Sequence, residues 1–354
     1  MNVSKLILST LACFNLAISS TANIDDLPLN KIQVIGSHNS YKQAIDATLF
    51  KLMVANNPKV AGLDYEHIAL GEQLDMGLRG LEIDIYADSK GGRYAHPKGM
   101  ELVPQQAPFN TDHKMDEPGF KVFHVIDYDY RSHSPTLKDA LTQLKTWSEG
   151  HPDHTPVFIT LEAKDGGAKD QPNPPEAFTE ELFDELDRDL QKYLGKQHLI
   201  TPDMVRSGNK TLESAVLKGN WPKLKNARGK FIFLLDDKDR KRALYMAGHP
   251  SLKARILFVN ALPGTPEAAF MICNNPSDPQ IPELVKKGYI IRTRADSDTR
   301  QARANDRTDL DAACSSGAQL ISTDYYLKST HFASDYLAEL PGDNKYFRVN
   351  PVLK

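Results

Sequence analysis

Gly77 to Tyr86 reads GLRGLEIDIY. Leu81, Ile83 and Ile85 alternate with Glu82 and Asp84, the two-residue period of a β-strand, so the two carboxylates share one face. Working outward, short apolar runs recur at Ile32 to Ser37, Gly80 to Tyr86 itself, Lys121 to Val125, Val157 to Ala163, Lys230 to Leu235, Ala254 to Asn260, Tyr289 to Thr293 and Gln319 to Ser322. Several are apolar over four or more residues, as strands buried on both faces are. Helical periodicity fills the intervals. Ser134 to Trp147 sets Leu137, Ala140, Leu141 and Leu144 on one stripe, Pro175 to Leu194 is acidic and amphipathic, and Thr299 to Ser315 stops just before Gly317. Eight strands alternating with helices predict an α/β protein, a distorted (β/α)8 TIM barrel. Asp88 to Gly119 reads as a loop insertion with a hairpin, and Lys164 to Pro175 as a long polar loop on the active face.

No interdomain linker or internal repeat interrupts the pattern, so residues 23 to 354 read as a single domain. The 354 residues are 40% hydrophobic and 25% charged, which is globular composition. A formal net charge of -3 without a basic stripe argues against a nucleic-acid partner. Residues 1 to 22 read as a signal peptide. Lys5 is the lone charge, Leu6 to Ile18 is apolar but short for a membrane span, and Ser19 to Ala22 are small. Cleavage near Ala22 leaves 42 basic and 46 acidic side chains, a net charge of -4, and places the protein outside the cytoplasm, secreted or periplasmic. The competing reading is lipid attachment at Cys13, although Thr10-Leu11-Ala12 is a poor box for it. Export leaves Cys273 and Cys314, which either pair as a disulfide or stand as isolated thiols. Neither has zinc-ligand spacing.

Polar residues gather where the apolar runs end. The first strand ends in Gly36-Ser37-His38-Asn39-Ser40-Tyr41, the third in Phe123-His124, and the fourth in Thr160-Leu161-Glu162-Ala163-Lys164. The fifth ends in Asp236-Asp237-Lys238, the seventh holds Arg292-Thr293-Arg294, and the eighth ends in Thr323-Asp324-Tyr325-Tyr326. At the mouth of a barrel Glu82, Asp84 and Glu162 would converge. Three close carboxylates repel unless something neutralises them. A hard divalent cation does so with oxygen ligands, to which Asn39 would add a carbonyl; Ca²⁺ suits the set best and Mg²⁺ second. Two histidines at the mouth, His38 and His124, can then move protons, each such role being worth roughly 10²–10⁴-fold in rate. Arg292, Arg294 or Lys164 could balance phosphate charge.

The order His38-Asn39, Glu82-x-Asp84, His124, Glu162 resembles the catalytic barrel of calcium-dependent phosphatidylinositol-specific phospholipase C, of the phospholipase C-like phosphodiesterase superfamily. GLRGLEIDIY resembles that family's second strand. Phe120 to His124 with Thr136-Leu137-Lys138-Asp139-Ala140-Leu141 resembles its third strand and helix, and Pro156 to Glu162 (PVFITLE) its fourth strand. The block from Arg292 to Tyr326 resembles the secreted microbial branch and, more loosely, the glycerophosphodiesterases. The resemblance covers residues 31 to 326. It implies that His38 is the general base on the inositol 2-hydroxyl, that His124 stabilises charge at the phosphorus, and that Asn39, Glu82, Asp84 and Glu162 hold Ca²⁺. It implies diacylglycerol and an inositol phosphate as products, and a phospholipid substrate met in transient contact with a membrane surface. Asp236-Asp237-Lys238 departs from the lysine-rich fifth strand of the animal enzymes, which leaves the phosphate partners and headgroup preference open.

Plainer readings stand beside these. Glu82 and Asp84 could pair with Arg79 or Lys164, and Arg292 and Arg294 with Asp296 or Asp324. His96 is a rival histidine in the insertion, His151 and His154 are expected to be solvent-exposed, and Glu176 to Asp189 a solvated helix face. The alternative functions are a glycerophosphodiester phosphodiesterase-like activity on another phosphodiester, or a non-catalytic barrel that binds headgroups. A monomer is expected.

Overall fold

The apolar runs pair into one parallel sheet that curls into a ring. The computed structural model describes residues 23–166 and 174–353. The expected signal segment with Cys13, and most of the loop from Lys164 to Pro175, lie outside these. The strands are β1 (Ile32–Ser37), β2 (Gly80–Ile85), β3 (Val157–Ala163), β4 (Leu199–Ile200), β5 (Phe231–Leu235), β6 (Phe258–Val259), β7 (Phe270–Ile272), β8 (Ile290–Arg294), β9 (Leu320–Thr323) and β10 (Phe347–Val349). Their order is β4-β5-β3-β2-β1-β9-β8-β7, with β6 on β5 and β10 on β1. A parallel bridge between Asn260 and Phe270 joins the end of β6 to β7. The Ala261 amide donates to the Phe270 carbonyl at 3.1 Å, and the Ile272 amide to Asn260 Oδ1 at 3.1 Å. Eight parallel strands thus close a barrel, as α/β barrels do.

The seam between β1 and β2 explains the glycines that flank the two motifs. Gly36 and Gly80 are partners across it, and a Cβ on Gly36 would stand 2.6 Å from the Gly80 Cα. Only two bare backbones fit at that separation. The first half of β1 pairs instead with the antiparallel β10, from Ile32–Val349 to Val34–Phe347.

Helices cover the outside. The helix Leu137–Gly150 buries Leu137, Ala140, Leu141, Leu144 and Trp147, and Thr136 Oγ1 caps it by accepting from the Asp139 amide at 3.1 Å. A cap of this kind is worth about 1 kcal/mol. The acidic helix spans Glu180–Leu194, and Asp187 departs from its solvated face: it is buried and accepts from Tyr245 and Arg255. The third expected helix is split into Arg300–Ala304 and Thr308–Ser316, because Asn305 between them is left-handed.

Three expectations are corrected and one open alternative is decided. Lys121 to Val125 is not a barrel strand; Lys121 makes antiparallel bridges to Tyr86 and Thr136 above the barrel. The place in the ring goes to β7, too short to show a period. Asp88 to Gly119 holds no hairpin but two helical turns, Lys98–Leu102 and Lys114–Asp116. His154 is buried, bonded to Ser148 Oγ and the Thr155 carbonyl. Cys273 and Cys314 are free thiols. Among the described residues no helix is long and apolar enough to cross a membrane.

Candidate active site

The C-terminal ends of the barrel strands surround a polar cleft of about 410 Å³. His38, Glu82, His124, Glu162, Arg292 and Arg294 line it, together with Tyr65, Asp236, Asn274 and Asp324. The parallel register of β2 and β3 places Asp84 opposite Glu162. Side-chain alternation then brings Glu82 to the same face. One ligand atom from each of Glu82, Asp84 and Glu162 lies within 4.8 Å of the others.

Lysine and arginine answer this acidic cluster from two sides. Lys164 Nζ lies 3.2 Å from Asp84 Oδ2 and 3.1 Å from Glu162 Oε1. The buried Arg292 pairs with Glu82 through Nη2, and also donates to Ser322 Oγ at 3.1 Å and to Asn274 Oδ1 at 2.5 Å. Arg79, the other proposed partner, bonds Thr155 and two carbonyls instead. Arg294 reaches Ser297 Oγ at 3.5 Å and otherwise faces the cleft. Asp84 is fully buried, and neither of its carboxylate oxygens accepts a hydrogen bond. Burial, opposed by Lys164, pushes its carboxyl up to about 7.

The two histidines face the cleft from different supports. His38 follows β1, with its amide bonded to the Thr323 carbonyl at 2.9 Å. Its Nδ1 donates to Asp324 Oδ1 at 2.8 Å, and Nε2 lies 3.5 Å from Glu82 Oε1. Burial, and then Arg294, hold this imidazole well below the usual range. This favours the neutral ring, and with Nδ1 donating to Asp324 the lone pair falls on Nε2. Asp324 is in turn held by Asp296, whose Oδ1 accepts the Asp324 amide at 2.8 Å. His124 sits on a loop beyond Phe123. Its Nδ1 is 2.8 Å from Asp129 Oδ2, and Tyr86 Oη donates to its carbonyl at 2.9 Å. Asn39 has a positive φ of 47° and is buried behind His38. Its Nδ2 donates to Tyr65 Oη at 2.8 Å. His96 is exposed and borders a separate pocket with Tyr94 and Pro97.

The family model for Ca²⁺-dependent phosphoinositide phospholipase C matches residues 27–351. The chain belongs to this family. It is a phosphoric diester hydrolase of the phospholipase C type, with calcium as its cofactor. A calcium-dependent phosphoinositol-specific phospholipase C from a Gram-negative Pseudomonas shares its fold, with a TM-score of 0.54 and 16% identity over 92% of this chain and 96% of that one. A Ca²⁺-dependent phosphatidylinositol-specific phospholipase C from Streptomyces antibioticus aligns with a TM-score of 0.51 and 17% identity, over 84% of this chain and 94% of that one. No curated protein matches the chain in sequence. The residues of this phospholipase C fit a calcium ion: the clustered donors are all carboxylate oxygens, and both oxygens of the buried Asp84 lack hydrogen bonds.

Sequence reasoning missed Tyr65, Asp129 and Asn274. Asp129 had a signal, since a histidine that moves protons needs a carboxylate to orient it and Asp127-Tyr128-Asp129 follows His124 closely. Tyr65 and Asn274 carry no local motif. Asp324, read as a partner for an arginine, serves His38.

Proposed function

We propose that this phospholipase C cleaves phosphatidylinositol-type lipids to diacylglycerol and an inositol phosphate with two histidines in named roles. His38 Nε2 takes the proton of the inositol hydroxyl that attacks phosphorus, and Asp324 holds the ring in the tautomer that allows it. His124 presents Nε2 to the phosphoryl oxygens. Asn39, Glu82, Asp84 and Glu162 are the calcium ligands. Bound calcium supplies positive charge that polarises the phosphoryl group. Arg294 is the main partner of the phosphate charge; Lys164 and Arg292, whose cations rest on carboxylates, reach it by leaving them. The observation that carries the reading is the convergence of His38 and His124 on one cleft with three clustered carboxylates.

The mature protein is one domain from residue 23, exported by the segment 1–22 and secreted or periplasmic, and it acts as a monomer. Its transient membrane contact is assigned to an apolar face beside the cleft. Leu52 and Leu102 are 44% and 56% exposed there, around a groove that Val60 also lines. The turn Pro58–Leu63 that carries Val60 brings Gly62 and Leu63 to the cleft.

The test is purified protein with phosphatidylinositol and, separately, glycerophosphodiesters, with calcium and with chelator. Diacylglycerol release that chelator abolishes is expected. Turnover of glycerophosphodiesters alone would transfer the assignment to another phosphodiester, and binding without turnover would reduce the barrel to a headgroup binder.

A further inference from the structure

The mechanism above makes no use of a buried ion pair that stands behind His124. Lys42 is fully buried, Asp129 is 1% exposed, and Nζ lies 3.2 Å from Oδ1. Taking both charges out of water carries a desolvation penalty that their attraction offsets only with good geometry and further hydrogen bonds. Asp129 spends its second oxygen, Oδ2, on His124 Nδ1 at 2.8 Å. Lys42 donates to the carbonyls of Tyr65 at 2.9 Å and Gln43 at 3.3 Å, and stands 4.8 Å from the Tyr65 ring centre. Its polar contacts are with Tyr65, Gln43 and Asp129, and the fully buried side chain cannot reach a substrate.

The pair also joins the two halves of the site. Tyr65, whose carbonyl Lys42 holds, carries the hydroxyl that accepts from Asn39 and lies 3.5 Å from His38 Nδ1. On the backbone, Lys42 and Ser132 form an antiparallel bridge, and the His133 amide donates to the Tyr41 carbonyl at 2.8 Å. The segment after β1 therefore clamps the loop that bears His124.

We propose that Lys42 is a positioning residue for His124. It holds Asp129 as a carboxylate with one oxygen aimed at His124 Nδ1. A carboxylate only accepts, so Nδ1 must carry the proton, and Nε2 is turned to the cleft. Despite burial, Lys42 and then His124 keep the Asp129 carboxyl below its usual range, in keeping with this. The inference rests on the role given to His124 above.

The test is the neutral double variant Lys42→Met/Asp129→Asn, which removes both buried charges together. The expected result is a folded protein whose kcat falls roughly 10²-fold, with KM within about twofold of wild type. A folded double variant with wild-type kcat would make the pair purely structural and overturn the proposal. Ring ¹⁵N NMR of wild-type His124 needs no variant: a protonated Nδ1 is expected, and an unprotonated Nδ1 overturns the proposal even if the double variant does not fold. Full activity in His124→Ala would instead remove His124 from the mechanism, while the NMR result would still judge its positioning.

Discussion

His38 and His124 face one cleft and each gives Nδ1 to an aspartate at 2.8 Å, yet their supports differ. The partner of His38 is 286 residues away, at the end of the neighbouring barrel strand, and is itself held by the buried Asp296. The partner of His124 is five residues away, in its own loop, and is held by a lysine from a different segment. The first arrangement is as rigid as the barrel wall. The second is a loop made rigid by one buried ion pair. Two histidines facing one cleft are thus oriented by the same local device, an aspartate on Nδ1, built from unrelated scaffolding.

The largest test of the comparison removes the rings. His38→Ala and His124→Ala are each expected to lower kcat by roughly 10²–10⁴-fold, measured as diacylglycerol release, with circular dichroism unchanged. Wild-type rates in either variant would refute the assigned pair. Next, Asp324→Asn is expected to cost about 10²-fold in kcat, and to add little in a His38→Ala background, because both changes act on one unit. Independent, multiplying losses would detach Asp324 from His38.

The proposed calcium ligands sharpen the contrast between a fixed and a displaceable charge. Asp84→Asn is expected to abolish calcium binding by titration calorimetry. Lys164→Met removes the ammonium that lies against Asp84 and Glu162, and is expected to tighten calcium binding by about tenfold. Weaker binding in that variant would mean that Lys164 supports the site instead of competing for it. The smallest effect is confined to the barrel side. Gly36→Ala forces a Cβ against the Gly80 backbone and is expected to cost about 1–3 kcal/mol, seen as a lower Tm. An unchanged Tm would show that the β1–β2 seam can widen.

Much of the site was legible because a strand reports its own facing. Glu82 and Asp84 at i and i+2 had to share a side, and Glu162 at the end of another apolar run had to reach the same mouth. His124 was found for a partly mistaken reason: Lys121 to Val125 looks like a strand, but it lies above the barrel, so the residue is at the cleft although the element is not in the ring. β7 has only three residues, too few for a period to show, and Asn305 split a helix whose apolar pattern ran on through it.

By itself the sequence determined the donor types, their order along the chain, and the faces on which Glu82, Asp84 and Glu162 lie, because alternation along a strand is a local property. Only the tertiary structure decided which charge answers which. Arg292 went to Glu82, Lys164 to Asp84 and Glu162, Asp324 to His38, and Lys42 to the aspartate behind His124. Apart from Lys164 with Glu162, two residues apart on one strand end, those pairings join segments distant in sequence, and in a buried site the choice among them follows from packing geometry and desolvation, which no local pattern encodes.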